Sequence, residues 1–168
     1  MALNPTRAGS EEAAKEAALR ILTRGPRTER EVQGRLRERG YHDDAVERAI
    51  ERLRRVSLLD DRAFVRSFLR TELFKAPQGK RLLVMKLRRR GVPDALITEL
   101  DALLDEDPDL AGRSLASEEG RAAQGFAQLR RRYARLEPQA YRRRMQQAMA
   151  RRGFGWETIR DLLGEETD

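Results

Sequence analysis

Leu82-Leu83-Val84-Met85-Lys86-Leu87-Arg88-Arg89-Arg90-Gly91 carries the pattern that decides the fold. Leu83 and Leu87 stand eight and four residues before the glycine, the spacing of one apolar face on a helix. The glycine suits the left-handed residue that closes a helix, because it has no Cβ to clash. The same frame recurs upstream, where Val32 and Leu36 precede Arg39-Gly40, and downstream, where Met145 and Met149 precede Arg152-Gly153. Six and nine residues beyond each glycine the chain is apolar again: Val46 and Ala49, Ile97 and Leu100, Ile159 and Leu162. One helix–turn–helix pattern is therefore written three times.

Each pair has a third helix in front of it. Ala14, Ala18, Ile21 and Leu22 form one apolar face, and Phe64, Val65, Phe68 and Leu69 another. Ala122, Phe126, Leu129, Tyr133 and Leu136 form the last, at steps of four and three. Start signals agree: Thr28-x-x-Glu31 reads as a capping box, Asp60 and Asp61 suit the cap of the helix with Phe64, and Pro93 suits a first turn. No useful stretch alternates with period two, so no sheet is expected. The expected fold is all-α: three tandem three-helix repeats, about nine helices, in an elongated, curved rod. The boundaries are a disordered N-terminal tail over 1–11, repeats over 12–59, 60–106 and 107–164, and a C-terminal tail over 165–168. Because Leu82 to Met85 are consecutive apolar residues, the helix that carries them is expected to be packed on several sides.

Composition narrows the function. The 168 residues include 39 % hydrophobic, 38 % charged and only 5 % aromatic side chains, which suits thin helical modules better than one thick core. The net charge is +7, and of 35 basic residues only Lys15, Lys75, Lys80 and Lys86 are lysines. Arginine forks match carboxylates and phosphates, so an acidic partner is one reading; a GC-rich genome that favours arginine codons is the other. Without cysteine there is neither disulfide nor thiolate metal site. The longest aliphatic run falls far short of the roughly 20 residues of a bilayer span. Residues 1–10 lack the apolar core of a signal peptide. A cytoplasmic protein with no membrane partner is expected.

Several of these stretches, taken in order, resemble the RecX family. They are Leu58-Leu59-Asp60-Asp61-Arg62-Ala63-Phe64, Arg39-Gly40-Tyr41, Gln78-Gly79-Lys80-Arg81 leading to Leu87-Arg88-Arg89-Arg90-Gly91, and Arg151-Arg152-Gly153-Phe154 before Trp156 to Leu163. The resemblance spans about residues 12 to 164. It implies tandem three-helix repeats and a non-enzymatic regulator that lodges in the helical groove of the RecA–DNA filament. Inhibition of RecA strand exchange, ATP hydrolysis and co-protease activity is implied with it.

The residues supply one site by themselves. From Arg130 to Arg152 there are nine arginines against the single carboxylate Glu137, so this tract is more positive than the whole chain. On its second helix Tyr141, Met145, Ala148 and Met149 face inward, while Arg144, Gln147 and Arg151 share an outward face. The expected contacts to RecA or DNA are Arg130, Arg131, Arg132, Arg142, Arg143, Arg144, Arg151 and Arg152, against a plain solvated surface as the other reading. A second cluster, Lys86, Arg88, Arg89 and Arg90, either joins them or lays its stems along a buried helix.

Enzyme motifs fail one by one. Gly79-Lys80 hints at a phosphate loop, but position 74 is Phe74 where that motif needs glycine, and Arg81 follows where it needs Ser or Thr. The sole histidine, His42, sits at a helix junction, and the Asp60–Asp61 pair reads as a cap. Trp156, Phe154, Tyr41 and Tyr141 could stack on bases, but their positions favour core packing. No catalytic residue, cofactor or metal is expected. The partners expected are the RecA filament and, directly, single- or double-stranded DNA, with the free chain monomeric. The competing reading is a helical DNA-binding transcription regulator, since Gly-turned helices can imitate helix-turn-helix units.

Overall fold

The computed structural model describes residues 4–165, and among them all regular structure is helical. The helices are α1 (Pro5–Ala8), α2 (Glu11–Leu22), α3 (Glu29–Glu38), α4 (Asp43–Arg55), α5 (Asp61–Lys75) and α6 (Lys80–Arg89). They continue with α7 (Asp94–Thr98), α8 (Leu100–Asp105), α9 (Pro108–Ala111), α10 (Glu118–Tyr133), α11 (Pro138–Arg151) and α12 (Trp156–Glu165). About nine helices were expected, and the surplus among the described residues has local causes. Glu99 leaves helical geometry at φ −86° and ψ 5°, which divides one predicted helix into α7 and α8. Asp107 caps the extra turn α9 through Asp109 N and Leu110 N, with Pro108 in its first position. The first tail is corrected where it is described: α1 forms within it, Ala8 is buried, and the Ala8 carbonyl accepts from His42 N at 2.9 Å. Residues 1–3 and 166–168 of the two expected tails lie outside the described residues.

The chain divides into two compact units. One runs to Val65 and takes in Arg89–Pro93; the other holds Arg66–Arg88 and the chain from Asp94 onward.

In the first unit α4 packs on α2 and α3 over Ala14, Ala18, Ile21, Val32, Leu36, Val46, Ala49 and Leu53, all buried. Gly40 takes φ 86°, and Tyr41 N donates to Leu36 O across the turn, the bond that closes a helix end in a Schellman motif. The capping box at Thr28 forms as read, and the Thr28 hydroxyl also donates to Arg90 O at 2.6 Å. Asp60 caps α5 through Arg62 N and Ala63 N. Asp61 does something else: it accepts from Glu29 N at 2.8 Å and so serves the start of α3. Burial pushes the Asp61 carboxyl above its ordinary value.

In the second unit α10, α11 and α12 enclose Ala122, Phe126, Leu129, Met145, Met149, Phe154, Ile159 and Leu163. Gly153, at φ 89°, repeats the turn of Gly40, and Phe154 N donates to Met149 O. The turn is held against α6, since Gly79 N donates to Arg152 O at 2.8 Å. Two predicted core positions fall short: Tyr133 is half-buried and Leu136, in the turn after α10, is exposed. On α6, Leu83 and Leu87 are fully buried, but Leu82 and Val84 are only partly covered and Met85 is exposed. The expectation that this helix is packed on most sides holds for three of its four consecutive apolar residues and fails at Met85.

Candidate functional site

The arginine-rich tract folds as the end of α10, a short turn and α11. Ser117 starts α10 by accepting from Gly120 N, and Pro138 opens α11 where its missing N–H costs nothing. Helical phase then sorts the side chains. Met145 and Met149 are buried and Tyr141 and Ala148 half-buried, which turns Arg144, Gln147 and Arg151 outward as expected, and Arg143 is exposed as well. Arg130, Arg131, Arg132, Arg135 and Arg142 are exposed too, and the Arg132 guanidinium lies 5.9 Å from the Tyr133 ring centroid. Among the described residues no carboxylate pairs with Arg131, Arg143, Arg144 or Arg151. Such a face attracts anions from solution, and its pull weakens as salt rises.

Three of the predicted contacts are committed to the fold instead. Lys86 pairs with Glu72 and donates to Gln78 Oε1 at 2.7 Å. Arg90 pairs with Glu31 and stacks 4.8 Å over the Phe64 ring. Arg152 is partly buried and donates to Gly125 O and Gln128 Oε1, and that burial pulls its guanidinium below its ordinary value. Arg88 bridges to Asp94 on the surface, while Arg89 is exposed with no carboxylate on it among the described residues. The partners of Arg90 and Arg152 lie 59 and 27 residues away, so no local signal could have marked them.

The Lys86 pair has a testable consequence. Its hydrogen bond to Glu72, with Lys75 adding to it, holds the Glu72 carboxyl down at about 2. A carboxyl depressed in the folded state stabilises fully above its unfolded value of about 4.3 and loses that contribution as pH falls toward 2. The thermal midpoint of Glu72→Gln should therefore trail the parent at neutral pH, with the gap shrinking below pH 4 and closing near pH 2. A gap that is constant with pH would refute the pairing.

Family models match this chain in three consecutive pieces: the first three-helix domain of RecX over residues 14–53, the second over 60–100 and the third over 118–163. The regulatory protein RecX of Mycolicibacterium smegmatis is 37 % identical over 160 residues, covering 93 % of this chain and 80 % of that one. The chain belongs to the RecX family. The regulatory protein RecX of Mycobacterium leprae is 34 % identical over 163 residues, covering 96 % of this chain and 90 % of that one. A crystal structure of RecX from Lactobacillus salivarius shares the fold at TM-score 0.69 and 22 % identity, covering 92 % of this chain and 95 % of that one.

Within the RecX frame, the free-standing arginines of α10 and α11 all fall in the third domain, and Arg89 in the second. Tyr41 and Phe154 are buried and Tyr141 half-buried, as core packing requires. Trp156 is the exception: it is 59 % exposed, while Phe154, two residues earlier, is buried in the core of α10, α11 and α12. His42 is exposed at the start of α4 and makes no side-chain cap. Sequence reading missed Arg121, a fully buried arginine; Arg81, beside the second basic cluster, is exposed on α6. No described helix is long and apolar enough to cross a membrane.

Proposed function

We propose that this RecX-family chain binds the RecA–DNA filament, lodges in its helical groove and restrains recombination, ATP turnover and co-protease activity in the cytoplasm. It does so without chemistry of its own, by occupying space that a second DNA must enter. The observation that carries the reading is the set of arginines on α10 and α11 that are exposed and, for Arg131, Arg143, Arg144 and Arg151, bound to no carboxylate among the described residues. A stabilising role would have placed acids beside them, as it did for Arg52 and Arg54 on α4. Of the contacts read from sequence, Arg88, Arg89, Arg130, Arg131, Arg132, Arg142, Arg143, Arg144 and Arg151 are exposed on the surface. Successive repeats over 12–59, 60–106 and 107–164 would touch successive protomers, so weak contacts add through effective concentration.

The test is RecA on single-stranded DNA, with ATP turnover followed as this chain is added at rising ratio. Turnover should fall at sub-stoichiometric to stoichiometric ratios, and fall less as salt is raised from about 50 to about 200 mM, because screening shortens the reach of exposed charges. Joint replacement Arg131→Glu, Arg143→Glu and Arg144→Glu should raise the concentration for half-inhibition by about a hundred-fold, each reversal costing roughly a kcal/mol. Circular dichroism should be unchanged. Turnover indifferent to the parent chain would end this reading. Tight, sequence-selective binding to naked duplex DNA would favour a DNA-binding regulator instead.

A further inference from the structure

The apolar run on α6 leaves one residue unused by the fold, and that residue lies in a groove. Met85 is 42 % exposed on the helix whose Leu83 and Leu87 are fully buried. With Leu82, Ala150 and Phe154 it lines a groove of about 550 Å³, bordered by Arg81 and Arg151. Both arginines are exposed, and among the described residues neither is paired with a carboxylate. Arg81 stands in the first turn of α6, a turn without acidic residues, where the helix dipole disfavours a cation. Its neighbour Lys80 is compensated by Asp101. Stability therefore gives no reason for Arg81 to be there.

We infer that this groove is a docking site for an acidic protein segment carrying one large apolar side chain, with Met85 and Leu82 receiving that side chain and Arg81 and Arg151 its carboxylates. The inference rests on the reading above that the partner is a protein, and it names the chemistry of the contacted segment. Charge complementarity selects the acidic flanks, since two uncompensated guanidinium groups border the groove. The floor selects the anchor: Met is soft and adapts to varied apolar shapes. Nucleic acid fits less well. Phe154 is only 2 % exposed, so it shows no aromatic face on which a base could stack.

The probe is a fluorescein-labelled peptide with a central Phe between Asp and Glu residues, compared by anisotropy with the same peptide carrying Ser for Phe and with oligo(dT) of equal charge. The parent chain should bind the Phe peptide at least about ten-fold more tightly than the Ser peptide, the scale of one buried apolar anchor. Met85→Glu and Met85→Ser should both abolish that preference, and Arg81→Glu should weaken both peptides alike. Equal binding of the two peptides by the parent, or a preference untouched by Met85→Glu, overturns the proposal. So does oligo(dT) binding that Met85→Glu removes. If the peptide preference stands while RecA turnover is indifferent to the parent chain, the groove is upheld and the recombinase reading is the one that fails. If RecA is inhibited equally by the parent and by Met85→Glu, the groove proposal fails and the recombinase reading survives.

Discussion

Gly153→Ala is expected to destabilise the second unit by roughly 2–5 kcal/mol, a drop in thermal midpoint of about 5–15 °C. Two separate costs meet at this residue. The backbone sits at φ 89°, where an L side chain crowds the following carbonyl at a cost of roughly 1–2 kcal/mol. A Cβ there would also stand 2.5 Å from Leu82 Cβ and 2.6 Å from Leu82 N, so α6 must move away from the turn. Overpacking of that kind costs roughly 1–3 kcal/mol. The helix cannot retreat freely, because Gly79 N is bonded to Arg152 O, and a Cβ on Gly79 would lie 2.3 Å from Gly153 O. Two other glycines separate the costs. Gly25 has φ 125° with nothing within 4 Å of a new Cβ, so Gly25→Ala reports backbone strain alone. Gly155 has neither problem, and Gly155→Ala should be close to neutral. Denaturant melts followed at 222 nm would rank the three. Should Gly153→Ala cost no more than Gly25→Ala, α6 is not seated on that turn.

The turns themselves were legible, and the reason is locality. A glycine four and eight residues after apolar side chains states both where a helix ends and which face it buries, and Gly40, Gly91 and Gly153 all take positive φ. The same holds for Thr28, whose box partner Glu31 is three residues away. Breaks such as Glu99, and caps such as Asp107 over α9, rest on weaker local preferences that burial of neighbouring leucines can override. At the site, helical phase placed Arg144 and Arg151 outward because Met145 and Met149 fix the inward direction. Phase misled at Trp156, which leads Ile159 and Leu163 by three and seven residues yet stays in solvent. Nothing local distinguishes the arginines that are spent on the fold. Arg90 meets Glu31 across 59 residues, and Arg152 meets Gly125 across 27.

Arg121→Met is expected to cost about 3–5 kcal/mol, although methionine fits a helix well and matches much of the stem. Arg121 is 1 % exposed, and an arginine is almost never buried so completely unless it is paired. It is held by four hydrogen bonds. Nε donates to Gln78 O at 3.0 Å, Nη1 to Leu115 O at 2.8 Å and Ala116 O at 2.5 Å, and Nη2 to Glu118 at 2.7 Å. Glu118 in turn accepts from Lys80 N at 3.0 Å, which serves the start of α6. One guanidinium thus ties the loop before α6, the loop before α10 and a helix N-terminus to α10 itself. Replacing a whole buried ion pair with apolar groups is often harmless, but removing only the cation leaves three carbonyls without their donor and the Glu118 carboxylate without its counter-charge. Arg121→Lys keeps the charge with a shorter reach and no planar fork, so it should recover less than half of the loss. Arg121→Met combined with Glu118→Leu removes both charges and should recover more than Arg121→Lys does, since the carboxylate is then no longer stranded. Because Arg121 is hidden from any partner, the inhibition of RecA proposed above should be kept by Arg121→Met at temperatures where the variant stays folded. Thermal melts of the three variants decide the matter: an Arg121→Met midpoint within about 2 °C of the parent would mean that solvent or neighbouring donors replace the guanidinium at little cost, and that the loops around α6 are held by packing alone.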